Sequence, residues 1–276
     1  MNLASALRTA RRERRTIVVP YLLVDRQRQR RLHATVTALR DAGATALELG
    51  FPFSDPIADG PVLESAAGRA LRHGTTWSDL LRACRTASGI LPTAVMTYAN
   101  PVWRHGLDRA ASDLAGAGAS GLIVPDLSLE EAAPWARAAR RGGLSLVLLA
   151  APGVSSGRIR RIAYASRGFL YLVSRYGTTG TSAAGAQVDL RPLVAASHRA
   201  APDLPVLVGF GVRDAASAAR ALSTGADGVV IGSALEERIE RNPRPALLAR
   251  WLAPIARAPR AAPVSSTGPR IASTAE

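Results

Sequence analysis

Lysine is absent from this sequence, and its absence limits the chemistry that the chain can perform. All 35 basic residues are arginine. A Schiff base with a carbonyl substrate or with pyridoxal phosphate requires a lysine amine, so mechanisms of that kind are excluded. Neither a nucleophile elbow nor a P-loop is present. We therefore expect the chain to work without a cofactor.

Cysteine and histidine are also scarce. Cys84 is the one cysteine, so it cannot form an internal disulfide, and its helical surroundings favour a small buried apolar residue. The four histidines, His33, His73, His105 and His198, show no spacing typical of metal ligands, and none ends a predicted strand. No metal site is expected.

Long apolar runs are missing as well. The chain lacks a stretch of about 18 predominantly apolar residues, so no membrane-spanning helix and no membrane partner are expected. Residues 1–15 are polar and rich in arginine, without the apolar core of a secretory signal. We interpret the protein as cytoplasmic.

The net charge of +14 raises the possibility of a nucleic-acid partner, but its distribution argues against one. Residues 1–40 hold ten arginines and two acids, residues 241–276 hold six arginines and one acid, and the rest is nearly neutral. A nucleic-acid-binding surface needs a basic stripe with stacking aromatics, and aromatic residues are 5% of this chain. No nucleic-acid partner is expected, and the arginine-rich ends are interpreted as solvated.

Eight short apolar runs alternate with longer amphipathic stretches. They are rich in Val, Ile and Leu without clean alternation, as strands buried on both faces should be. The predicted strands are 17–24, 46–49, 93–97, 121–124, 146–150, 169–173, 205–208 and 228–231. This pattern predicts the α/β class and a single-domain (β/α)8 TIM barrel over residues 16–257. A basic segment, 1–15, would precede the barrel, and a disordered tail, 258–276, would follow it.

Two sequence signals mark predicted helix starts, and one absence bears on the fold. Thr76 with Asp79, and Ser128 with Glu131, have the spacing of capping boxes. A doubly wound sheet is the alternative architecture, but no G-x-G-x-x-G follows the first strand. The barrel remains the predicted fold.

The stretch LELGFPFSDPIADGP, residues 47–61, gathers three carboxylates among apolar residues, glycines and prolines. Strand alternation turns Glu48 towards the barrel mouth, where (β/α)8 barrels carry their active sites. Partial desolvation there raises a carboxyl pKa and suits proton transfer, although an ion pair inside the barrel is the alternative. Asp55 and Asp59 lie on the following loop. For either aspartate, a turn or cap is as well supported as a functional role, and the loop is also a candidate lid.

Two glycine-containing loops follow the last two predicted strands, VGFGVRDAAS at 208–217 and VIGSALEE at 230–237. Barrels commonly bind phosphate at these loops through backbone amides and a helix N-terminus. Gly211, Gly232 and Ser233 are the candidate donors, with ordinary tight turns as the alternative. A third polar loop, SRYGTTGTSAAGAQ at 174–187, has the length of a functional lid.

These motifs together resemble the tryptophan synthase alpha chain family. LELGFPFSDPIADGP is similar to the family's signature almost residue for residue. MTYANPV, VPDLSLEE, YLVSRYGTTG, GFGV and IGSA also match family blocks, in the same order, over about residues 17–257.

The resemblance implies a lyase of tryptophan biosynthesis. Its reaction would be the retro-aldol cleavage of indole-3-glycerol phosphate to indole and glyceraldehyde 3-phosphate, the alpha reaction, without metal or Schiff base. Glu48 matches the catalytic acid/base, and Asp59 matches the carboxylate that stabilises positive charge at the indole N–H. The other matching positions are the lid residues Arg175 and Thr179, the phosphate binders Gly180, Gly211, Gly232 and Ser233, and the indole-pocket residues Tyr21, Tyr98 and Tyr171.

The resemblance also implies a partner, the tryptophan synthase beta chain, in an α2β2 tetramer. The segment matching the family's interface contains Pro52, Phe53, Asp55 and Pro56. From spacing alone, Phe53 either meets the partner or packs under its own loop. A stand-alone lyase that releases indole for another pathway would share the same catalytic residues and is the alternative function. A barrel that only regulated a partner would be expected to lose Glu48 or Asp59.

Overall fold

Eight parallel strands close into a barrel in chain order in the computed structural model, which describes residues 2–173, 189–209 and 211–260. The strands are β1 Ile17–Leu23, β2 Leu47–Gly50, β3 Thr93–Met96, β4 Gly121–Ile123, β5 Ser145–Ala150, β6 Leu170–Val173, β7 Val206–Gly209 and β8 Gly228–Ile231. The predicted single-domain (β/α)8 barrel is confirmed, with every strand boundary within one residue of its predicted place.

Within the described residues, helices connect successive strands and pack around the barrel, with one more helix before β1 and two after β8. They are α1 Leu3–Arg12, α2 Gln29–Asp41, α3 Pro61–Arg72, α4 Trp77–Ser88, α5 Ala99–His105, α6 Leu107–Gly116, α7 Ala132–Gly142, α8 Ser156–Ala165, α9 Arg191–Ala200, α10 Ala215–Leu222, α11 Ser233–Arg241 and α12 Pro245–Ala256. None of them is both long and apolar enough to cross a membrane.

Strand alternation sorts the buried side chains into two apolar layers. Leu47 and Leu49 of β2 belong to the layer between the strands and the surrounding helices. Ala46, one position before the strand, belongs to the barrel interior, with Val19 and Phe169. Because successive side chains point to opposite faces, Glu48 faces the interior, as the sequence predicted.

Helix α1 covers the amino-terminal end of the barrel. Leu3, Leu7 and Ala10 are fully buried in the same apolar cluster as the barrel interior. The Leu3 amide donates to Ser120 Oγ at 3.2 Å, just before β4. The arginine-rich segment 1–15 thus contributes an apolar stripe at helical spacing, a signal that the sequence analysis did not use.

Charged groups close the same end around the fully buried Asp227. Its carboxylate accepts from Arg11 Nε at 2.9 Å and pairs with Arg260. Ala258, at the predicted start of the tail, is buried, and its carbonyl accepts from Thr16 Oγ1 at 2.6 Å. These contacts anchor residues 258–260 to the barrel, and residues 261–276 of the predicted tail lie outside the described residues.

The two predicted capping boxes have different outcomes. Thr76 and Asp79 form a capping box at the start of α4, as predicted. Ser128 and Glu131 also bond to each other, but they do so in a turn, and α7 begins only at Ala132. The prediction of a helix start at Ser128 was therefore wrong by one turn.

Candidate active site

Glu48 lies in the middle of β2, paired with Tyr21 on one side and Ala94 on the other. It is 1% exposed, and neither carboxylate oxygen has a hydrogen-bond partner among the described residues. Burial raises its pKa to about 8, and the charge of Asp59 adds to the effect. An unpartnered buried carboxyl group is costly to keep, so this position is typical of a proton donor that awaits a ligand.

Asp59 comes from the loop that follows β2, one residue before the Gly60 that caps α3. It is 7% exposed, and its Oδ1 atom has no partner in the described part of the chain. Burial raises its pKa to about 7, against the lowering effect of a hydrogen bond with Tyr98. Glu48 and Asp59 are thus two carboxyl groups of one site with raised pKa values.

Both carboxyl groups line one pocket at the carboxyl end of the barrel. Of the described residues, its lining comprises Tyr21, Glu48, Asp59, Leu63, Met96, Tyr171, Gly211, Val212, Arg213, Val230, Gly232, Ser233 and Ala234. It therefore brings together the predicted catalytic pair, two predicted tyrosines and three predicted phosphate donors. Sequence reasoning missed Leu63, Met96, Val212, Arg213, Val230 and Ala234. All of these except Leu63 lie inside motifs that the sequence singled out.

Two tyrosines lie against glycines at strand ends. A Cβ atom at Gly50 would overlap the Tyr21 ring, and one at Gly209 would overlap the Tyr171 ring. Glycine is required at both places because the rings occupy the space of a side chain. These pairs hold Tyr21 and Tyr171 in the pocket, which is consistent with their predicted place beside an aromatic substrate.

Tyr98 contacts the site through the loop that carries Asp59, and its predicted role beside the indole ring stays a prediction. It is 3% exposed and is not among the described residues that line the pocket. Its hydroxyl accepts from the Ala58 amide at 3.0 Å, and its ring stacks on Phe53 at 5.2 Å between centroids. Tyr98 therefore holds the loop that carries Asp59.

The same loop includes the predicted interface residues. Pro52 is buried, Phe53 and Pro56 are half-buried, and Asp55 is exposed. The stacking of Phe53 on Tyr98 supports the alternative in which this ring packs under its own loop. Ile57, which sequence reasoning did not single out, is 74% exposed.

The pocket lining also includes the backbone of Gly211, Gly232 and Ser233, near the start of α11. Gly211 has a φ of 82°, a conformation that favours glycine. Gly232 caps α11, and Ser233 is its first residue. The first N–H groups of a helix have no partner within it, and the helix dipole favours an anion at that end. The arrangement suits a phosphate group.

Glu236, in the first turn of α11, is fully buried. It accepts from the Leu23 amide at 2.8 Å and from Arg28 at 2.6 Å. The arginine offsets a negative charge that would otherwise repel a phosphate at this helix start. Sequence reasoning missed both residues, because their pairing spans 208 positions.

Three predicted site residues, Arg175, Thr179 and Gly180, lie outside the described residues, so their roles stay predictions. In the described part of the chain, no group of three or more His, Cys, Asp or Glu side chains is placed to hold a metal ion.

Comparison with known proteins identifies the family. A family model described as Tryptophan synthase alpha chain matches residues 7–250. The tryptophan synthase alpha chain of Alkalilimnicola ehrlichii is 41% identical over 266 residues, covering 93% of this chain and 95% of the relative. That of a Synechococcus species is 43% identical over 231 residues, covering 83% and 85%. Mycobacterium tuberculosis tryptophan synthase, in a structure in space group F222, has a TM-score of 0.84 at 36% identity, covering 94% of this chain and 98% of that one. The chain belongs to the tryptophan synthase alpha chain family.

Proposed function

We propose that this pocket performs the alpha reaction of tryptophan biosynthesis, the retro-aldol cleavage of indole-3-glycerol phosphate to indole and glyceraldehyde 3-phosphate. The observation that carries the proposal is Glu48, whose buried carboxyl group lacks a partner in a pocket lined also by Asp59 and by helix-start amides. A stand-alone lyase for another pathway is not favoured, since the relatives compared above are tryptophan synthase alpha chains.

Glu48 serves as acid and then as base. Because its pKa is raised to about 8, it holds a proton at neutral pH and delivers it to the indole ring carbon that bears the glycerol chain. The resulting carboxylate then accepts the proton of the adjacent hydroxyl group while the carbon–carbon bond breaks. The bonding electrons return to the ring, and Glu48 regains its starting state.

Asp59 stabilises the cationic ring in this sequence. Protonation of the ring carbon places positive charge on the indole nitrogen, whose N–H then donates more strongly to a carboxylate. Asp59 is nearly buried, so water screens this attraction poorly. Its Oδ1 atom, without a partner among the described residues, supplies the acceptor.

The phosphate of the substrate binds at the two glycine-containing loops. Amides of Gly211, Gly232 and Ser233 donate to its oxygens, and the start of α11 adds the favourable dipole. Tyr21 and Tyr171 flank the indole ring. In this proposed arrangement the scissile bond lies beside Glu48.

The proposed reaction needs neither a metal nor a Schiff base. The sequence contains no lysine for an imine. A proton donor, an ionised carboxylate and an anion site account for each change of charge in the cleavage.

We further propose that the loop after β2 binds a tryptophan synthase beta chain, in an α2β2 assembly. Ile57 and Asp55 are exposed on this loop, close in sequence to Asp59. An exposed apolar side chain beside prolines is typical of an interface anchor. A partner bound here would also order the loop that carries Asp59.

Indole release from indole-3-glycerol phosphate tests the proposed reaction. Glu48→Gln should lower turnover by about 10²- to 10⁴-fold, because the amide cannot exchange the proton. Asp79→Asn changes a carboxylate of the α4 cap, away from the pocket, and is the matched control. Near-normal turnover of Glu48→Gln would remove Glu48 from the mechanism, and no indole release by the unaltered chain would reject the reaction.

A further inference from the structure

Arg213 is the only cation among the described residues that line the active-site pocket. Its Nη2 donates to Glu237 Oε2 at 2.9 Å, and the two side chains are 57% and 23% exposed. A single ion pair this exposed contributes little to stability, because water and salt screen it. Its position at the pocket therefore calls for a role other than stabilising the fold.

Local hydrogen bonds fix the backbone of Arg213, whereas its side chain is exposed and, among the described residues, bonds only to Glu237. The Arg213 amide donates to Ser217 Oγ at 2.9 Å, and Asp214 caps α10 in a box with Ser217. Gly211 and Val212, the residues just before Arg213, line the pocket themselves. The guanidinium thus starts from a constrained point at the edge of the proposed phosphate site.

Glu237 holds that guanidinium close to the phosphate amides. Ser233 and Glu237 are four residues apart on α11, so they share one face of the helix with Cβ atoms about 5–6 Å apart. An arginine side chain bonded to Glu237 is therefore about one helical turn from Ser233. A change of side-chain rotamer covers that distance.

The charges around the pocket favour such a movement. Glu48 and Asp59 belong to the site itself, and the charge of Glu64 adds to the effect of burial in raising the pKa of Asp59. Arg28 already pairs with the buried Glu236, so its guanidinium is not available to bind a phosphate. Among the described residues that line the pocket, a phosphate dianion would meet amide dipoles and one cation, Arg213, whose pair with Glu237 is exposed.

We propose that Arg213 binds the substrate phosphate, and that Glu237 holds the guanidinium in the empty site and releases it when the phosphate enters. The inference rests on the proposed function, whose phosphate site it extends from backbone amides to a charged side chain. Arginine suits this exchange because its planar fork pairs equally with a carboxylate and with a phosphate. Glu237 then acts as a competitor, so the two residues have opposite effects on affinity.

Titration calorimetry with glycerol 3-phosphate as the probe tests the exchange. Arg213→Gln should weaken binding of the probe at least tenfold, and Glu237→Gln should strengthen it severalfold. The double variant should behave as Arg213→Gln does, because the competitor is irrelevant once the cation is gone. Arg213→Lys should recover part of the affinity. Arg141→Gln, which breaks the exposed pair with Asp108 on the outer helices, should bind as the unaltered chain does.

Kinetics separate this role from a structural one. Arg213→Gln should raise KM for indole-3-glycerol phosphate about tenfold with kcat within twofold, and indole binding should be unchanged. Affinities for glycerol 3-phosphate within twofold in both single variants, or weakened equally in both, would overturn the proposal. Opposite shifts in probe affinity without any indole release by the unaltered chain would leave the phosphate role standing and reject the proposed reaction instead. If Arg213→Gln does not fold, the change in probe affinity caused by Glu237→Gln decides: tighter binding supports the proposal, and unchanged or weaker binding overturns it.

Discussion

At the scale of single residues, two carboxyl groups of one pocket take different protonation states. The pKa of Asp59 is raised to about 7 and that of Glu48 to about 8. Between these values Asp59 is mostly ionised while Glu48 is mostly protonated. This is the combination that the proposed cleavage requires, a carboxylate at the ring nitrogen and an acid at the ring carbon.

The order of the two pKa values predicts a bell-shaped pH profile. We expect kcat/KM to rise with pH through about 7 as Asp59 ionises, and to fall above about 8 as Glu48 loses its proton. Steady-state rates from pH 5.5 to 9.5 check this, with Asp59→Asn expected to lose the acidic limb along with most activity. A profile that is flat across pH 6–9 would show that neither group controls the reaction.

The raised pKa of Glu48 also has a cost in stability. Between its ordinary pKa of 4.5 and about 8, the folded chain keeps a proton that the unfolded chain has released. The free energy of unfolding therefore falls as the pH rises through this window. Glu48→Gln removes the effect, so its stability relative to the unaltered chain should increase by about 3–4 kcal/mol between pH 5 and pH 8.5.

Urea unfolding at the two pH values measures this difference. Asp79→Asn serves as the control, because the pKa of Asp79 is lowered by hydrogen bonds from Thr76 and not raised by the pocket. An equal stability difference for Glu48→Gln at pH 5 and at pH 8.5 would contradict the burial of an ionisable proton donor.

The sequence predicts the position of Glu48 better than the positions of Tyr98, Arg28 and Glu236. Two rules suffice to predict that Glu48 faces the barrel interior near its active-site end. Side chains alternate along a strand, and (β/α)8 barrels carry their sites at the carboxyl ends of the strands. Tyr98 could not be placed the same way, because it follows β3 and its position depends on the loop that folds over it. The pairing of Arg28 with Glu236 joins the turn before α2 to the first turn of α11, and no local pattern in the sequence reports it.

At the scale of elements, α1 closes the amino-terminal end of the barrel. The spacing of Leu3, Leu7 and Ala10 follows one helical face, and all three are fully buried. Four arginines in residues 8–14 obscure this stripe when composition is read alone. The strands were easier to predict, because continuous apolar runs bounded by glycine and proline leave few alternatives.

A truncation inside α1 tests its contribution. Leu7→Ala should lower the free energy of unfolding by about 2–5 kcal/mol, because it leaves a cavity under the barrel interior. Arg8→Ala, an exposed change at the next position, should stay within about 0.5 kcal/mol. Denaturant unfolding of the two variants compares them directly. Similar small losses in both would mean that α1 only lies on the surface.

At the scale of the whole molecule, one loop connects the site to a proposed partner. Ile57 is 74% exposed, whereas Phe53 stacks on Tyr98 and helps hold Asp59 in place. A change at Phe53 would therefore disturb the site as well as an interface. Ile57 allows the two effects to be separated.

Ile57→Ser should weaken binding of a cognate beta chain at least tenfold while leaving the isolated chain's basal lyase rate within twofold. The beta chain should raise the lyase rate of the unaltered chain, and the variant should need a higher concentration for the same rise. Light scattering and indole release, measured over one titration, follow both quantities. Tyr164→Ser, which alters an equally exposed side chain on α8, should behave as the unaltered chain does. Identical titration curves for Ile57→Ser and the unaltered chain would place the interface elsewhere.

Helix α1 closes the amino-terminal end of the barrel among the described residues. In the part of the chain that the structure describes, Leu3 and Leu7 fill the amino-terminal end, so substrate reaches Glu48 from the carboxyl end. Both products must also leave through the carboxyl end. Substrate entry and product release therefore use the same side of the barrel. A new substrate molecule waits until the slower product has departed. Any protein that covers this side thereby controls the timing of every arrival and departure.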